Sequence, residues 1–465
     1  MQTSITLAGV LVAGSAILVG QYSADAVPGG GDDGGVAGGL GADVIVGALP
    51  AFAKYSSVGG IAAYALATTS CNIGDEVLDW YANNNDHPVI PQNMYVVRDG
   101  RLEQIGMSWL KHGFCALQQS LCGACQPAGG GCPPLLGVGC SDPYSASLNG
   151  QQSNLGPRSL INAATGIFPY PWGGFPPAQA TIGRRIQVQL DDLDPGLNGG
   201  ARYFAEGMYI SKQDSAAGNS WNNASYREFN VGSFSGGSYN LSLVGPTYQQ
   251  KSAIFAWQQV HNDVDVNSIE IPDDGIFHVG SRASDNGDGT WRYSYVVYNL
   301  TSDLSGASLS ISKATDAVVT NVGFHDIDYH SGEPYDNTDW ASEVGKDAVT
   351  WSNGTTYAEN PDANALRWNT AYTFWFDSST PPVEGNIELG LFKNGESVTT
   401  TGFVPAGAPP IAGDYDNNGC VNGSDLAYAL AYWGGPEGDL NGDGTTDGYE
   451  IAIVLANWGD GGCGG

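Results

Sequence analysis

The feature that most constrains the fold of this chain is a tandem repeat near its C-terminus. Residues 414–434 read DYDNNGCVNGSDLAYALAYWG, and residues 439–459 read DLNGDGTTDGYEIAIVLANWG, a shift of 25 positions. Each copy begins with a loop of twelve residues rich in Asp, Asn and Gly and continues into an apolar segment. A sequence that recurs at a fixed spacing is typical of one structural unit used twice. We therefore predict two loop–helix units side by side.

The residues of both loops have the pattern of a calcium site. Calcium takes about six to eight oxygen ligands, which a twelve-residue loop supplies from side chains at positions 1, 3, 5, 9 and 12 and from the backbone carbonyl at position 7, with glycine at position 6 for the sharp turn. Both loops match at every position, with Gly419 and Gly444 at the turns. The predicted ligands are Asp414, Asp416, Asn418, Cys420, Asn422 and Asp425 in the first loop, and Asp439, Asn441, Asp443, Thr445, Asp447 and Glu450 in the second. We therefore predict two calcium ions as cofactors. The alternative is a pair of acidic surface loops that bind no metal.

The apolar segments that follow the loops have helical spacing. Each is about nine residues long, shorter than the ~12–15 residues that an isolated helix needs for stability in water. We expect calcium to fix the start of each helix, and the two apolar faces to pack together. The predicted faces are Leu426, Ala427, Leu430 and Trp433 in the first unit, and Ile451, Val454, Leu455 and Trp458 in the second.

This tandem resembles the type I dockerin module, which uses two calcium-binding loop–helix units to dock onto cohesin modules. The resemblance covers residues 414–459 and implies a small all-α module over 414–463, with a cohesin-like protein module or a cell-surface scaffold as partner. It also implies that the two ends of the module meet, so that Cys420 and Cys463 would form a disulfide; two free thiols are the alternative. The chain departs from the family at loop positions 10 and 11, where Gly423-Ser424 and Gly448-Tyr449 replace the familiar small-hydroxyl pair.

The N-terminus has the features of an export signal. Residues 5–20 are apolar, and Ala24-Asp25-Ala26 supplies a small-x-small cleavage pattern, which predicts a signal peptide over 1–26. No Lys or Arg precedes the apolar run, and a short membrane anchor is the alternative. Residues 27–42 form a glycine-rich spacer. We expect a secreted chain, extracellular or at the cell surface, with no membrane span after processing.

The cysteine count agrees with export, because an even number of cysteines in an exported chain favours disulfides. Six of the eight cysteines are clustered, at Cys71, Cys115, Cys122, Cys125, Cys132 and Cys140. Their connectivity cannot be deduced from the sequence. A zinc site formed by His112, Cys115, Cys122 and Cys125 is the alternative for part of this cluster.

The composition predicts a mainly β fold for the body, residues 43–404. Only 14% of the chain is charged, whereas glycine (67 residues) and aromatic residues (11%) are plentiful. We expect a β-sandwich-like body of one or two domains, with a possible sub-boundary near 145–180 and a linker at 405–413. The strands are predicted at 93–97 and 102–105, which flank Asp99-Gly100, and at 200–210, 252–260, 291–299, 371–376 and 387–392. One helix is predicted in the body, at 107–119.

The net charge of −31 disfavours nucleic acid and anionic membranes as partners, because both require a cationic surface. Polysaccharide and protein partners remain compatible with this charge.

Residues 325–330 (HDIDYH) concentrate four metal-ligating or acid–base side chains. On a strand, Asp326, Asp328 and His330 would share one face. A solvated polar loop is the alternative. Residues 191–194 and 285–289 are oxygen-rich turns that favour either a structural calcium or simple turn chemistry.

Three functions are compatible with these features. The first is a secreted modular protein whose β-rich body binds a ligand or a surface while the C-terminal module docks to a partner. The second is a dockerin-bearing carbohydrate-active hydrolase, and the third is a structural component of an external layer. The chain has many carboxylates, but none at a position that identifies it as catalytic, so no catalytic residue is predicted.

Overall fold

The computed structural model describes residues 39–330, 332–405, 411–416 and 420–459. The predicted signal peptide, most of the glycine-rich spacer, part of the 405–413 linker, Asn418 and Cys463 lie outside these ranges. Strands dominate the described residues, which confirms a mainly β fold. The α-helices in these ranges are α1 (Ala146–Asn149), α2 (Lys212–Ala217), α3 (Ile254–Val260), α4 (Gly423–Ala431) and α5 (Gly448–Ala456). The strands within the described ranges are β1 (Val44–Ala48), β2 (Phe52–Val58), β3 (Ile61–Leu66), β4 (Thr68–Asn72), β5 (Leu78–Asp79), β6 (Val89–Ile90), β7 (Gln92–Arg98), β8 (Arg101–Met107), β9 (Leu110–His112), β10 (Leu135–Leu136), β11 (Ser141–Tyr144), β12 (Leu155–Gly156), β13 (Ile186–Gln189), β14 (Arg202–Met208), β15 (Ala224–Ser235), β16 (Ser238–Leu243), β17 (Asp265–Glu270), β18 (Ile276–Asp285), β19 (Trp291–Asn299), β20 (Gly306–Ser312), β21 (Val319–His325), β22 (Ala341–Val344), β23 (Ala348–Ser352), β24 (Thr370–Ser378), β25 (Val383–Leu391) and β26 (Ser397–Val404).

The first half of the body is built on an eight-stranded sheet with the order β16-β15-β14-β7-β8-β13-β3-β2. The predicted hairpin at its centre is confirmed: β7 pairs with β8 in antiparallel register, with Arg98 opposite Arg101. Asp99 and Gly100 make the turn at positive φ angles of 50° and 76°, the conformation that an Asp-Gly turn between twisted strands requires. Strand β13 follows the segment 145–180 and lies between β8 and β3, so the chain is not divided into two sheets at that segment.

The second half is a sandwich of two five-stranded antiparallel sheets. One has the order β17-β18-β19-β24-β21, and the other has the order β22-β23-β20-β25-β26. Buried aromatic and aliphatic side chains from both sheets form one cluster, which includes Phe277, Tyr295, Phe374, Trp351 and Leu389. The strands predicted at 291–299, 371–376 and 387–392 all lie in this sandwich, as β19, β24 and the end of β25.

Two predicted elements in the body are wrong. Residues 107–119 form no helix: β8 ends at Met107, and the short strand β9 pairs with β6 and β12. Residues 252–260, predicted as a strand, contain the helix α3, in which Ile254 and Trp257 are fully buried on one side.

Three disulfides hold the cysteine-rich segment against the first half of the body. They join Cys71 to Cys122, Cys115 to Cys132 and Cys125 to Cys140. The disulfide prediction for these six residues is therefore confirmed. The zinc alternative is wrong, because its three cysteine ligands are consumed in three different disulfides. The fourth proposed ligand, His112, instead forms a hydrogen bond with His87, with 2.9 Å between His112 Nδ1 and His87 Nε2.

Candidate functional site

The two predicted calcium loops lead directly into α4 and α5, and the same residues shape the loop and the start of the helix. Asn422 and Asp447, at loop position 9, are the N-caps, and each accepts a hydrogen bond from the backbone N–H two residues later, at 2.8 Å. Asp425 and Glu450, at loop position 12, accept the backbone N–H of the cap residue in return, at 2.9 and 2.8 Å. This reciprocal capping box satisfies N–H groups that a helix leaves without internal partners. Both repeats therefore have the same local structure.

The first loop gathers three carboxylates. One oxygen each of Asp414, Asp416 and Asp425 lies within 4.8 Å of the other two. Two oxygens on opposite sides of a calcium ion, at bond lengths of about 2.3–2.6 Å, are separated by about 5 Å, so this grouping has the size that a calcium ion requires. Asp425 is fully buried and is held by the backbone N–H of Tyr415 at 2.8 Å.

The second loop is wound around Asp439. Its carboxylate accepts the backbone N–H of Gly442 at 2.8 Å and that of Gly444 at 2.7 Å. Gly444 has the positive φ angle of 92° that the sharp turn requires, and the buried Glu450 closes the loop. Among the residues that the structure describes, the carboxylates of this loop do not gather as closely as those of the first.

Hydrogen bonds lower the pKa of two carboxyl groups in the second loop. The Asn441 amide and then Thr445 lower the pKa of Asp443. The backbone N–H of Asp447 lowers the pKa of Glu450. Both shifts favour the charged form, which is the form that binds a divalent cation.

The two repeats are joined in a reciprocal way. The backbone N–H of Gly459, at the end of the second repeat, donates to the Val421 carbonyl in the first loop at 2.9 Å. The backbone N–H of Gly434, at the end of the first repeat, donates to the Thr446 carbonyl in the second loop at 2.8 Å. Because the two bonds are related by the 25-residue repeat, each loop fixes the end of the other unit.

The packing of the two helices differs from the expectation. Ala429 and Val454 are fully buried, and Leu426 and Ile451 are half-buried. The other predicted face residues are exposed: Ala427 is exposed, and Leu430, Trp433, Leu455 and Trp458 are 55%, 56%, 56% and 49% exposed. The prediction is wrong for these five residues. The buried positions are Ala429 and Val454, which lie four residues after the buried Asp425 and Glu450 on each helix.

The cysteines of this module are described in part. Cys420 takes part in a disulfide. Its predicted partner, Cys463, lies outside the described residues. Asn418, the predicted ligand at position 5 of the first loop, lies outside them as well.

The acidic segment at 325–330 contributes to a cleft in the body. Strand β21 ends at His325, so Asp326, Asp328 and His330 do not share a strand face. Asp326 and Asp328 line a cleft of about 470 Å³. His330 is buried away from it, with Nε2 2.6 Å from the Arg185 carbonyl.

The two other oxygen-rich turns have separate places. In 191–194, Asp192 reaches the same cleft and forms an ion pair with Arg98 at 2.9 Å. In 285–289, the β18–β19 turn is closed by Asp285, which accepts the N–H of Gly287, and by Asp288, which accepts that of Thr290. Turn chemistry explains the carboxylates of this second segment.

Burial changes the acidity of the cleft carboxyl Asp326. Desolvation raises its pKa to about 6, although a hydrogen bond from the Asn364 amide opposes the shift. The cleft is assembled from the first sheet and from the end of β21, more than a hundred residues apart in sequence. The acidic segment could be found from its composition, but no sequence signal indicates the wall that the first sheet contributes.

Comparisons with known proteins do not assign a family. No protein-family model matches the chain, and no curated protein matches its sequence. Similar solved structures include a serine-rich repeat adhesion glycoprotein of Streptococcus agalactiae, with 10% identity, 73% of this chain and 88% of that chain covered, and a TM-score of 0.19. Another is a partial N-terminal region of an enterococcal surface protein, with 8% identity, 84% and 100% covered, and a TM-score of 0.17. TM-scores this low carry no argument about the fold or function of this chain. Within the described ranges, no helix has both the length and the apolar character to cross a membrane.

Proposed function

We propose that this chain is a secreted protein with two functional parts, a C-terminal module and a β-rich body. Its C-terminal module binds two calcium ions and docks, in the manner of a dockerin, onto a cohesin-like protein module or a cell-surface scaffold. Its β-rich body binds a ligand or a surface, with polysaccharide as the expected ligand. Disulfides in the body support an extracellular location, because they form and persist in oxidising surroundings.

The observation that carries the calcium proposal is the grouping of Asp414, Asp416 and Asp425 in a loop whose features recur 25 residues later. The donor set fits the metal, because calcium prefers carboxylate, amide and carbonyl oxygens. In this reading Asp425 and Glu450 bind the two ions and fix the start of α4 and α5. Calcium would neutralise the negative charge that the loops concentrate.

The docking proposal rests on the exposed apolar residues of the same module. Leu430 and Trp433 on one repeat and Leu455 and Trp458 on the other hold equivalent positions and are about half exposed. Large apolar side chains grouped at a surface are typical of protein interaction sites. Calcium would support this surface indirectly by holding both helices in place.

Calorimetric titration of the full chain with calcium tests the metal sites. We expect two ions per chain. Asp425→Asn and Glu450→Gln should each remove one of them, because each replaces the position-12 carboxylate of one loop. Asp316→Asn, which changes an exposed carboxylate of the body, serves as the matched control. Absence of calcium-dependent heat in the wild-type chain would overturn the proposal.

Association with a panel of purified cohesin modules, in calcium and in chelator, tests docking. The full chain should associate in calcium alone, and a chain that ends at Pro405 should not associate. If the shortened chain associates as well as the full one, docking does not reside in the C-terminal module.

A carbohydrate-active hydrolase is the second candidate function. The cleft favours it, because Asp326, with its pKa of about 6, has the acidity of a proton donor near neutral pH and shares the cleft with Asp328. Glycoside hydrolysis by two carboxylates requires them to be about 5–10 Å apart. Release of reducing ends from a polysaccharide by the wild-type chain, lost in Asp326→Asn, would establish this function in place of simple binding.

A further inference from the structure

The cleft at Asp326 lies between the eight-stranded sheet and the segment that follows β21. One wall is formed by Gln104 of β8 and by Gln187 and Gln189 of β13, and the other by Asp326 and Asp328. Its volume of about 470 Å³ is within the range of about 300–1,000 Å³ found for small-molecule sites. The space is therefore sufficient for a short oligosaccharide segment.

The chemistry of the lining restricts the class of ligand. Accessible side-chain amides come from Gln189 and Asn337, and carboxylates from Asp326 and Asp328, while the half-buried Ile61 supplies apolar contact. Among the residues that the structure describes, none of those lining the cleft is a lysine or an arginine. An anionic ligand would therefore meet uncompensated negative charge. A ligand rich in hydroxyl groups can donate to the carboxylates and bond with the amides in both directions.

Several of the lining groups are fixed before any ligand arrives. The fully buried Gln104 accepts the backbone N–H of Ala371 at 2.8 Å through its side-chain oxygen, which fixes this part of the wall to the other half of the body. Asn337 is held by the backbone N–H of Tyr329 at 2.7 Å. Arg98 neutralises Asp192 at the edge of the cleft. Fixing polar groups in advance lowers the entropy that binding must overcome.

Two exposed side chains at the rim complete the site. Gln189 ends β13 on one wall, and Asp328 follows β21 on the other. Both side chains are exposed, and the two residues belong to segments far apart in sequence. A ligand that enters the cleft would pass between them.

We propose that this cleft is the saccharide-binding site of the body, and that it takes an uncharged oligosaccharide whose hydroxyl groups bond to Gln189 and Asp328 while its C–H faces contact the apolar lining. The inference rests on the proposed function, because it names the ligand class and the place for the ligand-binding body. Calcium binding by the C-terminal module is not required for it.

Calorimetric titration of the full chain in calcium with uncharged gluco-, xylo- and manno-oligosaccharides tests the site. At least one should bind to the wild-type chain, and Asp328→Ala and Gln189→Ala should each weaken that binding at least tenfold. Asp316→Ala, outside the cleft and also exposed, should bind as the wild type does. Thermal unfolding of each variant checks its folding, and both cleft residues are exposed enough for the variants to fold.

The outcomes separate the cleft from the wider proposal. If a saccharide binds and both cleft variants bind it with unchanged affinity, the cleft is wrong, while saccharide binding by the body stands. If none of these saccharides binds to the wild-type chain, both the cleft and the saccharide ligand are overturned. Tighter binding of a uronic-acid oligosaccharide than of its uncharged counterpart would also overturn the inference, because it contradicts the charge of the lining.

Discussion

The side chain of Asp214 is fully buried between α2 and the start of β1. Its carboxyl group accepts the backbone N–H of Val44 at 2.9 Å and the Asn223 amide at 2.7 Å. Desolvation raises its pKa to about 7, and the nearby Asp43 carboxylate adds to the shift. Among the described residues, the side-chain oxygen of Asn223 has no hydrogen-bond donor. The carboxyl therefore loses its proton near neutral pH, in a place that disfavours the charge.

Asp214 should make the body less stable as the pH rises. Its pKa is higher in the folded chain than the ordinary value of 3.8, so the stabilisation is fully present below about pH 4 and is lost as the pH rises through about 7. Asp214→Asn removes this titration, and its amide can donate to the Asn223 oxygen after that side chain rotates. We expect the melting temperature of the wild type to fall more steeply between pH 5 and 8 than that of the variant.

Differential scanning calorimetry at several pH values, with calcium held constant, measures this difference. Asp142 and Asp326, which also have a raised pKa, titrate equally in both proteins and cancel in the comparison. Parallel curves for the two proteins would show that Asp214 does not titrate in this range.

Elements whose signals are local could be predicted from the sequence. The Asp99-Gly100 hairpin depends on two turn residues, and the loop positions 9 and 12 of both repeats lie where the helices begin, as the spacing requires. Elements that depend on distant partners could not. The helix predicted at 107–119 does not form, because a strand on each side pairs with β9. The exposure of Trp433 and Trp458 depends on how two short helices cross, which their own sequences do not specify.

The same limit applies to the candidate sites. The predicted ligands of each proposed calcium loop lie within twelve residues, so a spacing rule is sufficient to select them as candidates. The cleft is lined by residues near 104, 188 and 326, which are far apart in sequence. The hypothesis that it binds a saccharide therefore depends on the structure. The six clustered cysteines are intermediate: their number predicted disulfides, but the three pairings depend on the fold of the loop between β9 and β11.

At the scale of the helices, calcium should control protease access to the C-terminal module. Helices α4 and α5 are nine residues each, below the ~12–15 residues needed for stability alone. Without calcium, repulsion among the loop carboxylates should open the capping boxes and loosen both helices. We expect chymotrypsin to cleave the full chain at Tyr428 and Tyr432 at least about ten times faster in chelator than in calcium. The reason is that the protease cuts the unfolded form of the helices, so the cleavage rate follows the population of that form.

Mass spectrometry of the fragments locates the cuts, and the disulfide-linked body provides an internal control. Asp425→Asn should be cleaved quickly even in calcium, whereas Asp316→Asn should behave as the wild type does. Equal cleavage rates of the wild type with and without calcium would show that the helices do not depend on the ion.

At the scale of the whole body, one buried polar network joins the eight-stranded sheet to the sandwich. Glu206 of β14 accepts the Tyr298 hydroxyl at 2.9 Å and the Asn369 amide at 3.1 Å, both from the sandwich. It also accepts the Asn93 amide at 3.0 Å, from its own sheet. Arg158 binds the Asn369 carbonyl at 3.0 Å and the Asn93 side chain at 2.8 Å, which ties the same two halves together. Apolar side chains of both halves, including Phe204, Trp257 and Val296, also share one core.

This shared network predicts that residues 43–404 unfold as one unit and that Glu206 is critical for it. Glu206→Ala leaves several fully buried donors without their acceptor, and each such loss costs about 1–3 kcal/mol. We therefore expect a loss of at least about 3 kcal/mol in the free energy of unfolding. Glu206→Gln keeps one oxygen toward Asn93, Tyr298 and Asn369 and should lose less. Calorimetry of the wild type should show a single transition for the body, which both variants move as a whole. Two separate transitions, with only one of them displaced in Glu206→Ala, would mean that the halves fold independently and that the cleft between them is not a fixed site.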